Sequence, residues 1–501
     1  PFRAAVGAGC AAIMAAFNDV AGVPMVAHRG LLHDYLRGEL GFDGVIISDY
    51  NAIAELMQHG VAADLVEAAA LALKASVDID MVSGAYVGGL PKALARGLIE
   101  LEHIDTAVRR VLRLKQKLGL FDDAYRRVAP TEFSARATTA LAAEAARRSI
   151  TLLANRDILP LPASARRIAV LGPLADAPAQ MRGPWALAGS AEDCTSALAG
   201  LRSALPQCEI VFAAGVDVDS DDASGIAAAC ALSADTDVIV LCLGERADMS
   251  GEATSRATPA LPGRQRELAE SALATGVPVV VILFSGRPLM ISWLVEKARA
   301  VVGAWFLGDM AGQAIADVLT GRFNPTARLP ISWPREIGQI PIFYSSRPTG
   351  RPANAADPFT SKYLDLSVEP LFPFGHGLSF SRVELKNLRL SRTEFRVQDS
   401  IEVEVDAINR EGVATEETIF LFVHDLVSTV ARPVMELKAW VKVELGPGQT
   451  KPVAFILAAE SFRVLDENFE SVLEPGDFDI FVGLNADRKS LLKASLHALA
   501  S

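Results

Sequence analysis

Short, uninterrupted apolar runs alternate with longer stretches of helical periodicity through the opening zone of the chain. Residues 11–17, 44–48 and 77–82 are such runs and predict buried strands. Residues 31–39, 64–75, 90–98 and 104–118 repeat apolar side chains every three to four positions and predict helices. Strands separated by helices of this length indicate βα units and a parallel sheet. In the last helix Asp105 precedes the stripe Val108, Val111, Leu112 and Leu118, which makes it the expected N-cap. Residues 1–9 read as the tail of a helix with no start signal. Three strands cannot close on themselves, whereas a (β/α)8 barrel takes eight strands and about 250 residues, so the chain is expected to begin inside a barrel.

A second zone, from about 131 to 341, is again α/β. Its predicted strands, 167–171, 210–213, 238–243, 279–283 and 300–305, are apolar almost throughout, as strands covered by helices on both faces should be. From about 383 to 496 the period changes to two. Residues 400–407, 418–424, 438–444, 451–457 and 478–484 alternate or are β-branched, and Pro447-Gly448 and Pro475-Gly476 mark turns, which predicts a β-sandwich of fibronectin type. A polar, proline-containing stretch at 345–370 reads as a long connecting loop. The expected class is therefore multidomain α/β plus β. Residues 1–129 form the C-terminal part of a (β/α)8 TIM barrel and 130–344 an α/β sandwich domain. Residues 345–382 form a connecting loop and 383–501 a fibronectin type III-like β-sandwich.

A length of 501 residues agrees with two or three domains. The net charge of −12 argues against a nucleic-acid partner, because phosphate binding needs clustered Lys and Arg. No run of about 18 apolar residues predicts a membrane span, and residues 1–3 do not open a signal peptide. The five cysteines show no CxxC spacing, so neither a disulfide framework nor a metal cluster is expected, and Cys242 reads as a small buried hydrophobe. His28, His33, His59 and His103 lack metal-ligand spacing, and Gly375-His376-Gly377 is followed by no βα unit, so no metal or dinucleotide cofactor is expected.

Two places carry candidate chemistry. The apolar run at 44–48 ends abruptly in Asp49-Tyr50-Asn51, and catalytic groups in α/β sheets sit just past the C-terminal ends of strands. Asp49 is thus a candidate nucleophile or base; it is equally placed to be the N-cap of a helix over 52–58. The run at 238–243 leads into a small-residue loop in which Glu245, Asp248 and Glu252 could each supply an acid, or could each be an incidental charge on a solvated loop. Ser48 and Ser250 have no histidine near them in sequence, and a pair of carboxylates explains the pattern better than a serine triad.

The order of longer motifs resembles glycoside hydrolase family 3, in its bacterial β-glucosidase branch. They are MAAFNDVAGVP at 14–24, LRGELGFDGVIISDY at 36–50, VDIDM ending at 81 and LKQKLGLF ending at 121. VLGPLAD at 170–176, MSGEATSR at 249–256, NPTARLPISWP at 324–334 and LFPFGHGLSF at 371–380 follow. The resemblance implies a retaining exo-acting β-glucosidase that works by double displacement through a glycosyl-enzyme on Asp49, with Glu252 of the SGEA loop as acid/base. A β-xylosidase or α-arabinofuranosidase of the same family is the alternative, or an inactive fragment that only binds carbohydrate. Asp49 would lie opposite Glu252 at a domain interface, and its charge together with partial burial would raise the proton affinity of Glu252. Tyr50 stands where the family often has Trp, Phe17 where many members have Tyr, and Met14 matches a pocket-wall Met. Trp185 resembles a loop residue near the sugar, whereas Trp305 and Trp333 are expected to pack inside the second domain. For Tyr50, Phe17 and Met14 simple core packing is the competing reading. The implied partner is a β-glucoside or oligosaccharide, with no membrane and no cofactor; a homodimer is compatible with the resemblance, and export to the periplasm or medium is implied by it. The Asp, Arg and Lys-His pair with which the family holds the sugar hydroxyls come from earlier barrel strands and have no match here. The chain alone is therefore expected to be inactive or unstable.

Overall fold

The parallel pair Ala12–Ala15 and Val45–Ser48 runs in register from Ala12 opposite Val45 to Ala15 opposite Ser48. These strands belong to the first of two units, Pro1–Phe133 and Ser134–Ser501, in a computed structural model that describes residues 1–125, 128 and 135–500. The expected boundary at 129/130 lies outside the described residues.

In the first unit strands and helices alternate, as the periodicity predicted, apart from a short hairpin, Asp19–Val20 with Val23–Pro24, after the first strand of the parallel pair. The helices run Gly30–Glu39, with π-type winding, Leu65–Lys74, Ala85–Ala95 and Leu101–Lys117. Asp64 caps the second by accepting the Glu67 backbone N–H. Two expectations need correction. The run at 77–82 forms only a single parallel bridge, Ile47 to Ile79, because Asp78 and Asp80 turn to other partners. The last helix starts earlier than its apolar stripe suggests. Glu100 is its N-cap, in a reciprocal pair with His103, and Asp105 lies inside it within 3.5 Å of Arg109 one turn on.

Asp78 is the polar anchor of this unit. Its side chain is fully buried, accepts the Ile46 N–H at 2.9 Å, and pairs with Arg37 at 2.6 Å and Arg110 at 3.0 Å. A buried carboxylate with three charge-assisted or backbone donors is satisfied, so it fixes the segment after the helix Leu65–Lys74 to the strand Val45–Ser48.

The second unit contains a six-stranded sheet. Its spatial order is Thr151–Asn155, Ala300–Gly303, Val279–Phe284, Val238–Gly244, Arg167–Leu171, Glu209–Ala213. All neighbours are parallel except Thr151–Asn155, an antiparallel edge strand that the sequence reading did not predict. Odd and even positions feed different cores. Val238, Val240 and Cys242 face one helical layer, while Ile239, Leu241 and Leu243 face the other. That two-sided burial explains the continuous apolar runs. The chain goes from Arg167–Leu171 outward to Glu209–Ala213 and then back across to Val238–Gly244. The order therefore reverses between the first and third of these strands, the place where open α/β sheets bind their ligands.

Residues 345–370 hold no helix or strand, as expected of a connecting loop. The period-two zone forms two main sheets and a two-stranded one, Val464–Leu465 with Ser471–Val472. Of the main two, one comprises Arg382–Leu390, Ser400–Glu411 and Thr450–Ala458; the other is built on Leu492–Ala498, Gly476–Gly483, Thr415–Asp425 and Glu436–Leu445. Ile401, Val403, Val405 and Ala407 point into a shared core with Ile419, Leu421 and Ile480. Arg382–Leu390 and Leu492–Ala498 were not predicted, because both are partly exposed and their alternation is weak. The chain is thus multidomain, α/β followed by a β-sandwich.

Candidate active site

Asp49 follows the last residue of the strand Val45–Ser48, and the segments on either side hold it there. Ser48 N–H donates to the Ile79 carbonyl at 2.9 Å, Asp49 N–H to the Ala15 carbonyl at 3.1 Å, and Asn51 N–H to the Met81 carbonyl at 2.9 Å. The buried Ser48 hydroxyl accepts the Met81 N–H at 2.8 Å. Asn51 turns the chain with φ 63°, a left-handed conformation that Asn tolerates better than most residues, and the short helix Ala52–Glu55 starts after it. The competing N-cap reading of Asp49 fails here: its carboxylate accepts no N–H of that helix, and Oδ1 instead accepts the Tyr50 N–H at 2.7 Å. Among the described residues the other carboxylate oxygen has no hydrogen-bond partner, so one oxygen is oriented and one is left free to react.

The second site lies in the loop that leaves Val238–Gly244 where the strand order reverses. Its three carboxylates have distinct environments. Glu245 is fully buried and held by Arg256 at 2.7 Å, Arg287 at 3.2 Å and the Ser250 hydroxyl at 3.0 Å. Asp248 is exposed and paired with Arg246 at 3.0 Å, which also meets Asp219 at 2.5 Å. Glu252 stands at the loop crest, exposed, with no hydrogen bond to its carboxyl among the described residues. The backbone is left-handed on both sides of it, at Gly251 with φ 106° and Ala253 with φ 56°. For alanine this costs about 1–3 kcal/mol and persists only where the surroundings hold it. The partial burial expected of Glu252 is not found; the stem of the loop is buried and its crest is open.

Trp185 comes from the loop after Arg167–Leu171, the other strand at the reversal of order. A Cβ on Gly251 would fall 2.9 Å from Pro184 Cβ and 3.8 Å from Trp185 Cζ2, so the fold brings Trp185 beside the loop of Glu252. Gln180 Oε1 ties the two loops further by accepting the Ala247 N–H at 2.8 Å. Trp185 itself is 73% exposed. In the first unit Met14 and Phe17 lie on and just after the strand Ala12–Ala15, and Tyr50 follows Asp49. They are 51%, 37% and 61% exposed. Trp333 is buried, donates from Nε1 to the Leu289 carbonyl at 2.8 Å, and packs 6.0 Å from Trp305, as expected of interior residues.

Sequence reasoning missed Arg256 and Arg287. Arg256 closes the motif MSGEATSR, but nothing in a linear sequence says that it and Arg287, from neighbouring strand ends, converge on Glu245. The five cysteines are free, and burial pushes the Cys242 thiol up to about 12. Among the described residues no group of three or more His, Cys, Asp or Glu could hold a metal ion, and no helix is long and apolar enough to cross a membrane.

Three family descriptions match the chain in order. They are Glycosyl hydrolase family 3 N terminal domain over residues 1–114, Glycosyl hydrolase family 3 C-terminal domain over 150–380, and Fibronectin type III-like domain over 417–486. A periplasmic beta-glucosidase of Salmonella typhimurium is 37% identical across 97% of this chain and 68% of its own length. A beta-xylosidase of Formosa agariphila is 35% identical across 99% of this chain and 70% of its own length. The crystal structure of a beta-glucosidase from Listeria innocua in complex with isofagomine superposes with a TM-score of 0.91 at 37% identity, covering 99% of this chain and 69% of that one. The same enzyme in complex with glucose gives 0.90. With identity of this level across nearly its whole length, the chain belongs to glycosyl hydrolase family 3 and is a glycoside hydrolase.

Proposed function

We propose that the reaction these residues serve is the hydrolysis of terminal, non-reducing β-D-glucosyl residues with retention of configuration, Asp49 being the nucleophile and Glu252 the acid/base. The observation that carries the reading is the contrast among the carboxylates. Glu245 and Asp248 are consumed by arginines, whereas Asp49 keeps a free oxygen at a strand end and Glu252 an unpaired carboxyl on a strained loop crest. The names of the Salmonella typhimurium and Listeria innocua relatives support glucose as the sugar.

In the proposed cycle Asp49 attacks the anomeric carbon while Glu252 protonates the departing oxygen, leaving a glycosyl ester on Asp49. Glu252, now ionised, takes a proton from water, which attacks the same carbon and restores Asp49. The chemistry requires the two carboxyl groups about 5–5.5 Å apart, too close for a water to attack first. Trp185 and Tyr50 offer apolar faces to a sugar ring. Phe17 offers none of the hydroxyl that a tyrosine would, so no phenol hydrogen bond reaches the nucleophile from that position. Export to the periplasm is proposed from the name of the Salmonella relative.

A 2-fluoro-β-glucoside with a good leaving group tests the assignment. Mass spectrometry of the digested protein should find the fluoroglucosyl adduct on the peptide containing Asp49, and an adduct elsewhere would overturn it. Asp49→Asn should lower turnover by on the order of 10⁴-fold or more, as removal of an essential catalytic group does. The Formosa agariphila relative favours a second reading, a β-xylosidase. The ratio of kcat/KM on aryl glucoside to that on aryl xyloside decides between the two sugars.

A further inference from the structure

We infer that Arg287 is the positioning residue for the proposed acid/base, setting the location of Glu252 through the backbone of its loop; the inference rests on the reading of Glu252 given above. Arg287 enters from the end of Val279–Phe284, the strand beside Val238–Gly244 in the sheet. One of its terminal nitrogens, Nη2, donates to the carbonyl of Met249 and, at 2.8 Å, to that of Thr254. Those carbonyls lie on either side of Glu252, so a single guanidinium draws together the two limbs of the loop that carries it. Its Nε donates to Glu245 Oε2 at 3.2 Å, which anchors the fork to a buried carboxylate.

The remaining contacts make that anchor rigid. Arg256 takes the other oxygen of Glu245 at 2.7 Å. The Ser250 hydroxyl donates to Glu245 at 3.0 Å and accepts the Gly286 N–H at 3.2 Å. A Cβ on Gly286 would stand 2.7 Å from Ser250 Cβ, so the approach of the two loops depends on glycine at this position. All these bonds lie on the stem. Glu252 itself receives none, and its backbone neighbours hold left-handed conformations that a free loop would relax. The position of the carboxyl is therefore a property of the stem, and the stem is organised by the planar fork of Arg287. A lysine reaching the same place has one compact ammonium and lacks the fixed fork that serves two carbonyls and a carboxylate together.

The test separates positioning from mere folding by the leaving group. Protonation matters for an unactivated leaving group such as the glucose of cellobiose, and hardly at all for 2,4-dinitrophenolate. In the full chain, Arg287→Lys should lower kcat/KM on cellobiose by on the order of 100-fold, the scale of an ångström-sized misplacement. On 2,4-dinitrophenyl β-D-glucoside the loss should stay below about 5-fold, since acid assistance contributes little there. Glu245→Gln, which keeps the shape and removes the anionic anchor, should give the same pattern in weaker form and stands in if Arg287→Lys does not fold. Equal losses on both substrates, or no loss on cellobiose, would overturn the inference. Glu252→Ala is the control. Should it show no leaving-group dependence, the acid/base assignment itself fails; should it show one that neither stem variant shares, only the role of Arg287 fails.

Discussion

At the scale of single residues, the acid loop shows why charge type and spacing are insufficient to name a catalytic group. Glu245, Asp248 and Glu252 lie within eight positions and are alike in sequence, yet one is a buried anchor, one a surface ion pair and one an unpaired crest. Replacing Glu252 with alanine should lower kcat/KM on cellobiose by on the order of 10²–10⁴-fold, the usual worth of a general acid, and leave the dinitrophenyl glucoside nearly untouched. Steady-state kinetics on the two substrates checks this. Asp49 was legible because an apolar strand ending in Asp-aromatic-Asn is a pattern of local sequence. Of the two readings the sequence left open, the hydrogen bonds remove the cap: Oδ1 takes the Tyr50 N–H, and the N-cap of the helix is Asn51. Arg287 was illegible, because its partners are 33 and 38 residues away along the chain.

At the scale of elements, periodicity located the buried strands well and the half-buried ones poorly. Val238–Gly244 and Val279–Phe284 are covered on both faces, so their apolar runs are unbroken. Thr151–Asn155 is an antiparallel edge strand whose identity depends on pairing with Ala300–Gly303, a contact between distant segments. The segment between the α/β domain and the sandwich carries a further element-level device. His376 stacks on Phe372 at 4.5 Å and donates from Nε2 to the Leu153 carbonyl at 2.8 Å. Burial pushes its pKa down to about 4. The folded state therefore binds this proton less readily than the unfolded chain, whose histidine titrates near 6.5. The stabilisation is full above about pH 6.5 and is lost as pH falls toward 4, by about 3 kcal/mol in all. Comparing denaturant unfolding of the wild type and His376→Gln at pH 7 and pH 4 isolates the effect, since other groups cancel in the difference. The stability advantage of the wild type should shrink by about that amount; parallel losses would show that His376 does not titrate in this range.

At the scale of the molecule, the α/β domain and the sandwich of the second unit are joined through a buried ion pair. Arg328 donates to Glu417 and to the Gly377 carbonyl, with side chains only 10% and 3% exposed. Glu417 also accepts the Thr418 N–H at 2.7 Å. Arg328→Met would strand a buried carboxylate and should destabilise the protein by about 3–5 kcal/mol, whereas the double variant with Glu417→Met should cost less than the single one. Urea unfolding of the three variants measures both terms, and additive losses would mean that the pair is not coupled. The charge of −12 acts at this scale too, consistent with a partner that is not a polyanion.

The sequence by itself determined the class of the protein. Hydrophobic period, strand-end motifs and their order are local or sequential properties, and they suffice for α/β layers, a β-sandwich, the family and the candidate Asp49 and Glu252. Only the tertiary structure decided which carboxylates are spent on arginines, that Trp185 borders the acid loop, and that Arg287 holds its two limbs. Those depend on the strand order of the six-stranded sheet, which sets side by side loops that lie tens of residues apart, and no local pattern records that order.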